Sequence, residues 1–270
     1  MTRQLENLKE ESDNFIQWAD VKSSASFFKH SDKMTGLIIA AGMGTRLANL
    51  GDSKPLIKVR GIPLIERVIL SSASAGITKF YIAVGYNAEM IKDYLDKAES
   101  LKNIDFEYIQ NDEWEKANGI SVLKAKDTIR ENFILTMSDH LFDPEIIREI
   151  MRQEVKMGEA MLAVDFNTGS NRYVDIDDVT RVKSVEGKII GIDKELKEYN
   201  CYDTGIFHCS PGLFDALEKS SNLHYDTSLS GGMRVLASEG KALTFDIGGR
   251  FWIDVDDETA LTKAEKYYPF

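Results

Sequence analysis

Residues 37–56, LIIAAGMGTRLANLGDSKPL, constrain this chain more than any other stretch. The apolar run Leu37-Ile38-Ile39-Ala40 has the length and composition of a buried strand. It breaks into a glycine loop, Ala41-Gly42-Met43-Gly44-Thr45-Arg46, whose small residues let the backbone approach a ligand closely. Arg46 and Lys54 then deliver positive charge just beyond the second glycine. A buried strand, a glycine loop and cations past it together describe a phosphate cradle. The chain carries 33 basic and 44 acidic residues, a net charge of −11. A nucleic-acid binder would present a basic face, so that class is set aside. An acidic protein that holds an anion must concentrate its few cations locally, which gives single Lys and Arg positions weight.

The pattern continues downstream. Gly61-Ile62-Pro63 reads as a turn, with Pro63 in the first turn of a helix reaching about residue 75. Lys79–Val84 and Asp105–Gln110 read as strands, with a helix over 88–98 between them. A helix over 121–129 precedes a strand over 132–137, which ends at Ser138-Asp139-His140, and Pro144 opens the next helix. Apolar strands alternating with helices over short connections predict an α/β fold. Its mixed, mostly parallel central sheet is covered by helices on both faces, and ligands sit at the carboxyl ends of the strands.

The second half is expected to add strands over 159–165, 201–208, 241–245 and 251–256, and helices over 211–217, 225–238 and 257–268. Strands over 181–185 and 188–192 flank Glu186-Gly187, a hairpin signature. Residues 166–210 are read as a β-rich lid within a main domain of residues 34–270. Residues 1–33, with Leu5, Leu8, Phe15 and Trp18 in partial helical periodicity, are read as an accessory helix and linker. That segment would pack on the core or on a second copy of the chain, so a homodimer stays open. No stretch has membrane-spanning length or the form of a signal core. Cys201 and Cys209 read as reduced thiols, and a cytoplasmic setting is expected.

Two common fingerprints fail. The third position of a dinucleotide-binding motif is occupied by Leu47, and no window matches a P-loop. What stands is G-x-G-T-R-L, then Ser53-Lys54-Pro55-Leu56 and, after Val59-Arg60-Gly61, Ile62-Pro63-Leu64. This resembles the signature of the sugar-nucleotide pyrophosphorylase-like nucleotidyltransferases and implies their Rossmann-like fold. By that resemblance the backbone of Ala40, Ala41, Gly42, Met43, Gly44 and Thr45 holds a triphosphate. Arg46 would bind the leaving phosphates and Lys54 the α-phosphate, both as catalytic groups. Asn118, Gly119 and Ser121 would form the base-reading loop, Gly85 a rest for ribose or base, and Asp139 a Mg²⁺ ligand. The chemistry agrees, because nucleotidyl transfer needs positioning and charge neutralisation more than a covalent nucleophile. Trp252-Ile253-Asp254-Val255-Asp256 alternates, so on a strand Asp254 and Asp256 share one face and ask for a cation. Hard carboxylate oxygens suit Mg²⁺. Asp256 or Asp257 equally suits the N-cap of the last helix.

Residues 133–139 (FILTMSD) with His140, residues 118–125 (NGISVLKA) and Tyr202-Asp203-Thr204-Gly205 resemble the CTP:inositol-1-phosphate cytidylyltransferases. That branch moves CMP from CTP to inositol-1-phosphate, giving CDP-inositol and pyrophosphate, a step toward di-myo-inositol phosphate. In some members the domain is fused to a membrane-embedded synthase, so a separate membrane synthase is the implied partner. Lys183 and Lys194 are candidates for the acceptor phosphate, and Asp203 and Thr204 for inositol hydroxyls. Each also reads as an ordinary surface or strand-end residue. The same chemistry on a sugar 1-phosphate or phosphocholine, with CTP, UTP or GTP, stays open. Phosphocholine would need an aromatic cage, for which Tyr173, Tyr199 and Tyr202 are available. A nucleotide-binding regulatory module without turnover is the alternative of another class. Asp175, Asp177 and Asp178 lack EF-hand spacing and read as a solvated loop. Cys201, His208 and Cys209 lack a C-x-x-C pair and read as core. His140 reads as structural, not as an acid or base.

Overall fold

Strand periodicity decides the layering. In β1 (Thr35–Ala40), Leu37 and Ile39 enter one hydrophobic core and Ile38 and Ala40 enter another on the opposite face. A strand buried on both sides needs helices above and below it. The structure, a computed structural model, describes residues 34–169 and 171–270, and residues 34–270 form one compact unit. The accessory helix and linker expected over 1–33 lie outside the described residues.

The remaining strands are β2 (Lys58–Val59), β3 (Ile62–Pro63), β4 (Lys79–Val84), β5 (Asp105–Gln110), β6 (Phe133–Met137) and β7 (His140–Phe142). They continue with β8 (Ala160–Asp165), β9 (Arg181–Val185), β10 (Lys188–Asp193), β11 (Cys201–Cys209), β12 (Ala242–Asp246) and β13 (Trp252–Asp254). The helices are α1 (Leu64–Ser74), α2 (Ala88–Lys97), α3 (Gly119–Leu123), α4 (Pro144–Ile150), α5 (Gly212–His224), α6 (Leu229–Ser238) and α7 (Glu258–Tyr267). Apolar residues of α1, α2 and α4 cover one face, among them Ile65, Ile91 and Ile147. Those of α5 and α6, among them Phe214 and Met233, cover the other.

Nine strands form one sheet in the order β5-β4-β1-β6-β11-β8-β12-β10-β9. From β5 to β6 every pair is parallel, whereas β11 runs antiparallel to both β6 and β8. The expected Rossmann-like α/β fold is therefore present, with a mixed second half. The chain leaves β1 toward β4 and β5 and later returns to β6 on its other side. The ends of β1 and β6 thus flank a topological switch point, where open α/β sheets open a crevice. The glycine loop follows β1, and Ser138-Asp139 follows β6, tied to it by Ser138 N–H donating to Ile39 O at 3.0 Å.

A second device sits beside the sheet. β13 pairs antiparallel with β7, with Asp254 opposite His140 and Ile253 opposite Leu141. This ribbon carries a carboxylate from the end of the chain to the end of β6.

Several boundaries differ from the sequence expectation. The strand expected over 251–256 ends at Asp254, so Asp254 and Asp256 do not share a strand face. Chain direction changes there because Asp257 caps α7, its Oδ1 accepting from Ala260 N–H at 2.6 Å. Pro63 closes β3 in an extended conformation and does not enter the helix. The helix expected over 121–129 is Gly119–Leu123, after which i→i+3 bonds continue as turns that still bury Ala125 and Ile129. Residues 166–210, expected as a β-rich lid, supply three strands of the central sheet, β9, β10 and β11. β11 is a central strand, and β9 pairs with it through Cys201 and Tyr202 so that β11-β8-β12-β10-β9 closes on itself.

Ile253 is fully buried in the ribbon. Ile253→Ala should lower unfolding free energy by about 2–4 kcal/mol, the cost of an unfilled aliphatic site. Urea titration against the wild-type chain reads it.

Candidate active site

The loop after β1 turns sharply at Gly44, which has φ +64° and ψ +48°. A side chain there would be strained, and its Cβ would collide with Lys54 and lie 2.8 Å from Lys54 Cδ. Gly44 is therefore the gap through which the Lys54 stem crosses. Thr45–Leu47 follows as a short 3₁₀ turn anchored by buried Leu47, which leaves Arg46 half exposed on the rim. Lys54 opens a second 3₁₀ turn, Lys54–Leu56, and its side chain is only 9% exposed.

Opposite charges alternate through the cavity. Lys54 Nζ lies 2.5 Å from Asp139 Oδ2 and also pairs with Asp256. Arg46 grips Asp256 with one nitrogen and Asp178 with another, each at 2.5 Å. Asp178 Oδ1 lies 2.5 Å from Lys194 Nζ. The cavity these residues line has a volume of about 390 Å³. Burial alone would lower the Lys54 ammonium pKa, but Asp139, Asp254 and Asp256 hold it above its ordinary value. Burial raises the Asp139 carboxyl, and Lys54 and His140 outweigh it, keeping Asp139 well below the usual carboxylate range.

His140 closes the inner wall. Its Nδ1 lies 2.9 Å from Asp139 Oδ1 and 3.7 Å from Asp254 Oδ1. Burial opposes its charge, but Asp254 and Asp139 raise the imidazole to about 9. The ring runs nearly parallel to that of Trp252, 18° apart with centroids separated by 6.5 Å, and the Trp252 indole N–H donates to Asp165 Oδ2 at 2.9 Å. Gly205, at φ +74°, admits it, since a Cβ there would stand 2.5 Å from His140 Cδ2. Burial pushes the Asp254 carboxyl up to about 7, with Asp139 and Asp256 adding to the effect and His140 opposing it.

Among the described residues, Asp139, His140 and Asp254 are the one acidic, His or Cys group close enough to share an ion. Asp254 Oδ1 is buried without a hydrogen-bond partner. Carboxylate oxygens from Asp139 and Asp254 suit a hard divalent cation. His140 Nδ1, 2.9 Å from Asp139 Oδ1 and 3.7 Å from Asp254 Oδ1, stands between the two acids and helps to orient them.

The family model for the MobA-like NTP transferase domain matches residues 36–238. The chain belongs to that family. "Bifunctional IPC transferase and DIPP synthase" of Archaeoglobus fulgidus is 31% identical over 86% of this chain and 43% of its own length. The protein of the same description from Aquifex aeolicus is 30% identical over 86% of this chain and 51% of its own. The chain thus spans about half the length of these relatives. The structure of the inositol-1-phosphate CTP transferase from T. maritima superposes with a TM-score of 0.73 at 22% identity, covering 88% of this chain and 99% of that one. A UDP-glucose pyrophosphorylase bound to UDP-glucose gives a TM-score of 0.72 at 18% identity, covering 88% and 99%. Both likenesses support the fold of the NTP transferase domain.

Within this NTP transferase domain the sequence candidates separate. Ala40, Gly42, Gly44, Arg46, Lys54, Asn118, Asp139, Lys194, Asp203, Asp254 and Asp256 all line the cavity. Ala41, Met43, Thr45, Gly85, Gly119, Ser121, Lys183 and Thr204 do not. Several of these have packing duties. A Cβ on Gly85 would lie 2.6 Å from Trp114 Cβ, and one on Gly119 would lie 2.6 Å from Thr227 O. Ser121 Oγ accepts from Asn111 Nδ2 at 2.9 Å, and fully buried Thr204 donates to Ala163 O at 2.8 Å. Lys183 lies on β9 away from the cavity, leaving Lys194 as the acceptor-phosphate candidate. Cys201, His208 and Cys209 are buried, as expected of core.

Asp178 corrects the reading of 175–178 as a solvated loop, since it bridges two cavity cations. Nothing near it in sequence signals this, because Arg46 is 132 positions away. Gly205 lay within a quoted motif, but its close approach to His140 is visible only in three dimensions.

Gly44→Ala should cost about 1–3 kcal/mol through backbone strain and displacement of Lys54. Gly42→Ala meets nothing within 4 Å and should be near neutral without ligand. Paired melts separate the two. Burial also raises the Asp203 carboxyl to about 6, although Gly205 N–H and His140 pull it back. The folded state then holds that proton more tightly than the unfolded chain, whose Asp titrates near 3.9, so stability falls as pH rises through about 6. Asp203→Asn should therefore stabilise the chain at about pH 8 but not at about pH 4, read by denaturant unfolding at both.

Proposed function

We propose that this chain transfers CMP from CTP to inositol-1-phosphate, releasing pyrophosphate and CDP-inositol. The observation that carries the reading is the convergence at one switch-point crevice of Arg46 and Lys54 with Asp139 and Asp254, and of a third cation, Lys194, across the same cavity. The inositol-1-phosphate branch rests on the printed descriptions of the relatives and on the sequence motifs.

A phosphate oxygen of the acceptor attacks the α-phosphorus of CTP in line, and the bond from the α-phosphorus to the bridging oxygen breaks. The acceptor enters as an anion, so no general base is required. Lys54 is assigned to the α-phosphate and Arg46 to the leaving pyrophosphate, with backbone of the 40–45 loop cradling the triphosphate. Asn118, on the rim beside Leu229, is assigned to the base. Lys194 receives the acceptor phosphate and Asp203 its hydroxyls. Asp139 and Asp254 would hold Mg²⁺, which neutralises triphosphate charge and draws electron density from the α-phosphate. Asp256, already shared by Lys54 and Arg46, keeps those two cations in register.

A phosphocholine acceptor is less well supported. Among the described residues no tyrosine lines the cavity; Tyr173 packs on Phe251 and Tyr267, and Tyr199 on Tyr202.

Pyrophosphate release should appear with CTP and inositol-1-phosphate above all other pairs in a panel of four nucleoside triphosphates and several phosphorylated acceptors. EDTA should abolish it and excess Mg²⁺ restore it. Lys54→Ala should cost about 10²–10³-fold in turnover at saturating CTP, the loss typical of a preorganised charge-stabilising donor. Near-full turnover by that variant would remove Lys54 from the mechanism, and no release with any pair would favour a binding module.

A further inference from the structure

One side chain outside the cavity joins two turns that both feed it. Arg234, on α6, donates from one guanidinium nitrogen to Ile192 O at 2.8 Å and Asp193 Oδ2 at 2.9 Å. Its other terminal nitrogen pairs with the Asp226 carboxylate. Asp193 ends β10, and the next residue is Lys194, whose head reaches the cavity. Asp226 opens the turn that leads into α6, where Leu229 and Ser230 line the same cavity.

The two turns are not equally self-supporting. Asp226 Oδ1 accepts from Ser228 N–H at 2.9 Å and Ser228 Oγ at 2.7 Å, Ser228 Oγ caps Gly231 N–H at 3.0 Å, and Leu229 N–H donates to Asn118 at 2.9 Å. The Lys194 turn has its own bond from Glu195 N–H to Asp193 Oδ1 at 3.0 Å and a backbone bond from Leu196 N–H to Asp193 O at 3.4 Å. Arg234 therefore anchors the weaker turn to the stronger one. Arg234 reaches Ile192 O and Asp193 with one terminal nitrogen and Asp226 with the other, a span that a lysine at this position, with all its donors on a single nitrogen, does not cover. Lys194 is half exposed on a flexible stem, so the place of its backbone decides where its charge can go.

We propose that Arg234 is the positioning residue of the acceptor half-site, holding the turn that presents Lys194 while touching no substrate itself. This rests on Lys194 as the acceptor-phosphate cation in the proposed function.

The test compares Arg234→Ala and Arg234→Lys with the wild-type chain, alone and combined with Lys194→Ala, using the acceptor that the pyrophosphate panel identifies. Arg234→Ala should raise the acceptor KM about tenfold, in line with the cost of misplacing a binding group, and leave the CTP KM within about twofold. Arg234→Lys should not rescue it. With Lys194 already replaced, loss of Arg234 should add nothing to the acceptor KM. Equal rises in both KM values, rescue by Lys, or full additivity with Lys194→Ala would overturn the inference. Amide hydrogen exchange gives a readout that needs no turnover. Arg234→Ala should speed exchange at residues 193–196 and leave the glycine loop unchanged. Unchanged exchange at 193–196 overturns the inference on its own. Faster exchange there without turnover on any acceptor supports the brace and counts against the proposed function instead.

Discussion

Everything at this site depends on Lys54 being buried among carboxylates. An ammonium taken almost wholly out of water is tolerated only if opposite charge surrounds it, and Asp139 and Asp256 supply that charge. The dependence is mutual. Asp139, Asp254 and Asp256 converge closely enough to repel one another, and Lys54, Arg46 and His140 offset that repulsion. The alternation runs on through Asp178 to Lys194, so the crevice holds an ordered row of charges in which each ion has an opposite neighbour. For phosphate chemistry this is useful, because cations already fixed in place need little reorganisation when phosphate oxygens take over from carboxylate oxygens.

Two pieces of topology make that row. The reversal of strand order around β1 and β6 opens the crevice and sets the glycine loop beside Asp139. The β7–β13 ribbon then returns Asp254 to the same point from the far end of the chain, its register held by buried Ile253 and by the Trp252–Asp165 hydrogen bond. Register matters because a one-residue slip would turn Asp254 to the opposite side of the ribbon.

Much of this was legible beforehand. β4 and β5 fall at the bounds expected of them: Lys79–Val84 is a mostly buried apolar run, and the edge strand Asp105–Gln110 sets half-buried Phe106, Tyr108 and Ile109 among exposed polar residues. The glycine loop, Lys54 and Asp139 were legible because strand-end chemistry lies close in sequence to the strand that positions it. The packed chain departed from local expectation where side-chain chemistry had two uses. Ser121 and Thr204 carry hydroxyls that suit a ligand, yet the fold spends both on internal hydrogen bonds. Asp256 sits two residues after Asp254, and helix capping by Asp257 ended the strand before alternation could apply.

By itself, then, the sequence determined the layered α/β sheet, the glycine loop after β1 and the two cations that stand beside it, since each rests on spacing within a few dozen residues. Only the tertiary structure decided which acids face those cations. Asp178 and Asp256 lie 132 and 210 positions from Arg46, and nothing in local pattern distinguishes them from Asp175 or Asp257 beside them. Long-range pairing of charges is settled by which strands become neighbours and by what a buried ion can find within reach, and those are properties of the packed chain.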